Sequence, residues 1–157
     1  MDFDDFQLAF LEEAVDILND WENACFALEN AISQGQIDAL FRAAHNFKGS
    51  SKSVGFENLA HFVHIIENVV DRVRKGSLQL DKELLGYIFD AQAKLVEWVE
   101  SLRNEGLDLK THYDLMVQFE EIYNQGLEVP SPAGIDIEKM DLVLFDELPP
   151  GFLEEEK

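Results

Sequence analysis

No proline occurs before Pro130. The first 129 residues therefore lack the residue that breaks a helix by removing an N–H and clashing with the preceding turn. Over the same stretch apolar residues recur at steps of three and four. In the first segment they are Phe3, Phe6, Phe10, Ala14, Ile17, Trp21, Ala24, Leu28 and Ile32. That spacing draws one stripe along a helix, and no segment sustains the period of two that a half-buried strand needs.

The pattern predicts five helices. The first is expected to end at Gly35. The second spans about residues 36–54, with Ile37, Leu40, Phe41, Ala44 and Phe47 inward, and Gly55 closes it. The third covers about 57–75, with Leu59, Phe62, Val63, Ile66, Val69, Val70 and Val73 inward. Its last turn holds Arg72, Arg74 and Lys75, where cations suit the helix dipole, and Gly76 follows. The fourth starts from an Asp81 N-cap and runs to Gly106 through Leu84, Leu85, Ile88, Ala91, Leu95, Trp98, Val99 and Leu102. A shorter fifth spans about 111–125 with Leu115, Phe119 and Ile122, ending at Gly126. Long amphipathic helices with short connections imply an all-α chain, an antiparallel four-helix bundle to which the fifth helix adds. Residues 1–128 form this domain. All four prolines lie in residues 129–157, a tail or the start of an interdomain linker. The tail's apolar stretch, Ile135 to Phe145, is expected to dock on the bundle.

Composition bounds the partners. Apolar residues make up 46 %, enough for a core, and 32 acidic residues against 12 basic ones leave a net charge of −20. Such a surface repels nucleic-acid phosphates and anionic membranes. No apolar run reaches the ~20 residues of a membrane span. One cysteine, Cys25, excludes an intramolecular disulfide and suggests a reducing compartment. The opening Met1-Asp2-Phe3-Asp4-Asp5 lacks the basic start of a secretory signal, so the cytoplasm is the expected location. Between Arg42 and Lys75 the balance reverses, with six basic residues against three acidic ones. That excess suggests a site for anions.

One stretch does not read as core or solvated face: Ala43-Ala44-His45-Asn46-Phe47-Lys48-Gly49-Ser50-Ser51-Lys52-Ser53. Glycine costs about 1 kcal/mol inside a helix, yet a glycine and three serines sit in the second half of this one. His45, Lys48 and Gly49 share a face by the i, i+3, i+4 rule. An imidazole, an ammonium one turn away and a patch of backbone bare of bulk suit a phosphoryl group. A neutral imidazole is a nucleophile near neutral pH, and lysine pairs with phosphoryl oxygens. The next helix carries His61, His64 and Glu67, spaced by three. A carboxylate there can accept one ring N–H of His45 and leave the other nitrogen free to attack.

The run Leu40-Phe41-Arg42-Ala43-Ala44-His45-Asn46-Phe47-Lys48-Gly49, with Val54-Gly55-Phe56-Glu57-Asn58-Leu59-Ala60-His61, His64, Glu67 and Asn68, resembles the histidine phosphotransfer (HPt) domain family. The likeness is strongest to the N-terminal HPt domain of chemotaxis histidine kinases of the CheA type, and it extends over about residues 3–126. The resemblance implies an HPt-type bundle in which His45 is phosphorylated. It maps the motif's lysine and glycine to Lys48 and Gly49, and the partners of the phosphorylated ring to His64 and Glu67. It implies a phosphoryl group delivered by a histidine kinase catalytic domain and passed to an aspartate of a response-regulator receiver domain. ATP and Mg²⁺ belong to those partners, and this domain binds no cofactor. Ser50 stands where the chemotaxis kinases more usually have a second glycine.

Gly49 and Ser50 are expected to admit a partner closely, and Lys52 and Arg42 to attract its acidic groups. The isolated domain is expected to be a monomer. It is expected to be either an excised N-terminal piece of a kinase or a stand-alone relay protein outside chemotaxis. Two other classes compete. His61, His64 and Glu67 offer metal-ligand types on one helix, but a di-iron site wants Glu-x-x-His pairs from two helices, and only this one cluster is present, so no metal is expected. A non-catalytic helical adaptor would tolerate replacement of His45.

Overall fold

The computed structural model describes residues 3–105 and 112–125. The chain divides into two compact units, Met1–Tyr123 and Asn124–Lys157. The tail 129–157, its apolar stretch, Gly106 and Gly126 lie outside the described residues. Among the described residues the structure is all-α, with α1 (Asp5–Asn30), α2 (Gln34–Ser53), α3 (Glu57–Arg74), α4 (Lys82–Glu105) and α5 (Tyr113–Asn124).

Each boundary has a local cause. Asp4 opens α1 with a capping box: its carboxylate accepts from Gln7 N at 2.7 Å, and the Gln7 side chain accepts from Asp4 N at 3.1 Å. The Gln7 amide also donates to Val54 O at 2.9 Å, tying the start of α1 to the end of α2. Gly55 and Gly76 take the left-handed conformation, with φ of 93° and 85°. At both, the next residue's N–H reaches back five positions, Phe56 to Ser51 O and Ser77 to Arg72 O, each at 2.9 Å. This closure satisfies carbonyls that a helix end leaves orphaned. Asp81 caps α4 by accepting from Leu84 N at 2.8 Å.

Gly35 does not end the first helix. α1 stops at Asn30 with an extended Ala31, and Gly35 sits in the first turn of α2. Ser33 decides this boundary, because its hydroxyl accepts from Gln36 N at 3.2 Å. An N-cap hydroxyl satisfies a free donor, which a glycine cannot do. Two members of the predicted α1 stripe, Phe6 and Ile32, are exposed, while Leu11, Leu18 and Cys25 join the buried face. The face is wider than one stripe because α1 packs against both α2 and α4.

Cross-helix contacts set the directions. Phe10 meets Phe47 edge-on, and Gln7 reaches Val54, so α1 and α2 run antiparallel. Gln34 reaches Arg74 O while His45 meets Glu67, so α2 and α3 do too. The buried Trp21 indole and Gln92 amide bind Ile88 O and Leu18 O respectively, and Arg103 donates to Leu11 O. α1 and α4 are therefore antiparallel, and with Phe62 on Trp98 between α3 and α4 the four helices close into a bundle. On α5, Leu115, Phe119 and Ile122 are buried, and Phe119 packs against Tyr87 of α4. Among the described residues no helix is long and apolar enough to cross a membrane. Cys25 is fully buried in the core, and burial pushes its thiol up to about 12.

Candidate functional site

α2 turns Ala43, Ala44 and Phe47 into the core, which directs His45 outward. α3 buries Val63, Ile66 and Val70 and places Glu67 at the seam with α2. The antiparallel register then sets the two groups opposite each other. Nδ1 of His45 is 2.5 Å from Oε2 of Glu67, and the Lys48 ammonium is 2.8 Å from Oε1. One carboxylate thus bridges an imidazole and an ammonium. Its side chain is 8 % exposed, whereas that of His45 is 57 % exposed.

The electrostatics follow from these contacts. Burial by itself would raise the pKa of Glu67, but the hydrogen bonds and charges of Lys48 and His45 outweigh it and hold the group below its ordinary value. An ionised carboxylate only accepts, so Nδ1 of His45 carries the proton that it donates. In the neutral ring Nε2 then bears the free lone pair.

His64 makes no hydrogen bond to His45 or Glu67. It lines a groove between α2 and α3 with Lys48, Lys52, Glu57, Ala60 and His61. Desolvation, and after it the nearby Lys48 charge, lower its pKa and favour the neutral ring. Lys52 is exposed beside this groove. Arg42 lies on the other flank of α2, in a groove shared with Asp20, Asn23 and Asn46. The two cations expected to attract a partner therefore sit on opposite sides of His45.

Gly49 is exposed, and a Cβ built on it would meet no atom within 4 Å. Ser50 is half-buried beside it. Ser51 corrects the expectation of a continuous bare patch: it is fully buried, with its hydroxyl donating to Lys48 O at 3.0 Å.

The basic excess between Arg42 and Lys75 does not gather into one anion site. Arg72 turns inward, donating to Ser77 and to Tyr123 O. Arg74 and Lys75 pair with Asp71 at 2.5 and 3.0 Å. Glu67 is committed to His45 and Lys48, and among the described residues no group of three His, Cys, Asp or Glu side chains is placed to hold a metal.

Phe41, expected inward, packs half-buried against the core, and its ring also stacks on His45, centroid to centroid 5.7 Å and 17° from parallel. The Arg74 guanidinium covers the Phe41 ring at 4.2 Å from its centroid. The only sequence signal for this contact is the spacing of Phe41 and His45, four residues apart on one helix.

Comparison with known proteins supports one family. The chemotaxis protein CheA of Salmonella typhimurium is 31 % identical over 105 residues, which is 66 % of this chain and 16 % of that protein. CheA of Bacillus subtilis is 32 % identical over 107 residues, 68 % of this chain and again 16 % of the relative. In Listeria monocytogenes the figures are 35 % over 98 residues, 62 % of this chain and 16 % of the relative. The chain thus spans well under a fifth of the length of these relatives. Among solved structures, the phosphorylated P1 domain of CheA3 in complex with CheY6 from R. sphaeroides superposes with a TM-score of 0.68 at 22 % identity. That match covers 76 % of this chain and 96 % of the other. Such a likeness establishes a shared fold. Residues 6–105 match the Hpt domain family over most of the bundle, and the chain belongs to that family.

Proposed function

We propose that His45 accepts a phosphoryl group from the ATP-binding domain of a CheA-like histidine kinase and passes it to an aspartate of a response-regulator receiver domain. One observation carries the reading: a half-exposed imidazole whose Nδ1 proton is held at 2.5 Å by a buried carboxylate. That arrangement leaves Nε2 as the nucleophile, facing away from Glu67. A fold neighbour that is itself a phosphorylated domain in complex with CheY6 supports the same reading.

In the first step the Nε2 lone pair attacks the γ-phosphorus of ATP. An N–P bond forms, the P–O bond to ADP breaks, and ADP leaves with the electron pair. The ring gains positive charge, which the adjacent Glu67 carboxylate offsets. In the second step an aspartate oxygen attacks the same phosphorus, the N–P bond breaks, and its electron pair returns to Nε2. ATP and Mg²⁺ are held by the partner domains, which supply most of the positioning and charge stabilisation. Lys48, one turn from His45 on α2 and paired with Glu67, offsets part of the phosphoryl charge. His64 belongs to the surrounding network through the groove it shares with Lys48. Gly49 and Ser50 admit the partner, while Lys52 and Arg42 attract its acidic groups. Reliance on ATP places the domain in the cytoplasm.

The test is phosphorylation by a purified chemotaxis-type kinase domain with ATP and Mg²⁺, read by intact mass on the wild type and His45→Gln. The expected result is one acid-labile phosphoryl mass on the wild type and none on the variant. Label on His45→Gln overturns the residue assignment. No label on either, with a kinase active on its own substrate, favours a non-catalytic adaptor.

A further inference from the structure

We propose that Phe41, clamped by Arg74, is a positioning residue for His45; the inference rests on the phosphoacceptor reading above. The His45 ring is restrained along one edge by Glu67. A single hydrogen bond fixes one point of a ring and leaves its plane free to rock about the bond. With 57 % of the side chain exposed, solvent does not stop that motion.

The face of Phe41 supplies the missing restraint. The two rings lie 17° from parallel with centroids 5.7 Å apart, the range of offset stacking. The Phe41 ring is half-buried and packs against the hydrophobic core, and the Arg74 guanidinium lies over it at 4.2 Å from its centroid. A cation over an aromatic face is attracted by the ring quadrupole. Arg74 is in turn held by Asp71, whose Oδ1 accepts from its Nε and terminal nitrogen at 3.1 and 2.5 Å. The order is Asp71, Arg74, Phe41, His45. α3 therefore grips the histidine twice, directly through Glu67 and indirectly through the stack. Attack by Nε2 needs its lone pair in line with the P–O bond that breaks. Misplacement by about 1 Å can cost about a hundredfold in rate.

The experiment compares the wild type with Phe41→Leu, Phe41→Tyr and Arg74→Met in two readouts. Proton NMR of the His45 ring reports the stack without any kinase. The upfield ring-current shift of its carbon-bound protons should be present in the wild type and Phe41→Tyr and lost in Phe41→Leu. Steady-state phosphorylation reports positioning. Phe41→Leu should lower kcat about tenfold with little change in the kinase's KM for this domain, a smaller loss than the misplacement limit. Phe41→Tyr should restore the rate, and Arg74→Met should slow it. Unchanged His45 shifts or an unchanged kcat in Phe41→Leu overturns the proposal. A wild-type rate in Arg74→Met overturns the clamp. If the wild type is not phosphorylated at all, the phosphoacceptor reading fails, while the NMR arm still decides whether the stack exists.

Discussion

Nδ1 of His45 and Oε2 of Glu67 lie 2.5 Å apart although 22 residues separate them, and the bond joins an open side chain to a closed one. The buried partner is the one that stays charged, because Lys48 and His45 both donate to it. A buried carboxylate with two donors is a fixed acceptor, so it selects the tautomer of the exposed ring.

Glu67→Gln keeps the shape of that acceptor and removes its charge. A neutral amide can offer its NH₂ to Nδ1, which reverses the tautomer, and it no longer offsets the charge formed on the ring. Phosphorylation should slow by roughly 10–100-fold, the usual cost of losing an orienting partner. Rapid-quench measurement of phospho-His45 formation checks this, and an unchanged rate would remove Glu67 from the mechanism.

The same residue makes a pH prediction. The pKa of Glu67 in the fold lies below its ordinary value of 4.5. Below that value the unfolded chain binds the proton more readily than the folded one, so acid favours unfolding. The contribution of Glu67 is complete above 4.5 and is lost as the pH falls through the lowered value of the folded state. The stability gap between the wild type and Glu67→Gln should therefore shrink from pH 6 towards pH 3 in urea titrations. A constant gap would contradict the ionised pairing.

Gly49 separates folding from docking. Its missing Cβ leaves open space, and α2 would gain from a better helix former there. Gly49→Ala should raise stability by about 1 kcal/mol, read by chemical denaturation. A larger residue such as Gln should leave stability intact and slow phosphoryl transfer. Normal transfer by Gly49→Gln would mean that no partner needs the space.

Arg72 is the cation whose loss should unfold rather than inactivate. It is buried, donates to Ser77 Oγ at 3.1 Å and Ser77 O at 2.7 Å, and also donates to Tyr123 O. Arg72→Met should cost about 2–3 kcal/mol by leaving these acceptors without a charged donor. The denaturation midpoint should fall while the phosphorylation rate of the folded fraction holds. A midpoint equal to the wild type would show that the contacts are idle.

The residues that the sequence made legible are those whose evidence is local. Gly55 and Gly76 read correctly as helix ends because a positive φ at a closing turn favours glycine whatever packs above it. Gly35 does not mark a helix end, because glycine is also tolerated in a first turn and Ser33, as the N-cap, sets the boundary instead. His45 and Glu67 were paired because both lie on amphipathic helices whose apolar faces must meet. Ser51 continues the buried stripe of α2 four residues after Phe47, but a small polar side chain carries no apolar signal, and Arg72 lies at the edge of a stripe, where periodicity does not say which way a side chain turns.

By itself the sequence determined the helical periodicity, the turns that interrupt it and the chemistry of the residues at the site, because these depend on free energies within a few residues of chain. Only the tertiary structure decided which charges meet. Lys48 binds Glu67 and Arg74 covers Phe41 according to how far α3 is rotated and slid against α2, and Arg72 turns to Ser77 and Tyr123. That rotation and register come from close packing of the whole core, in which every helix constrains its neighbours.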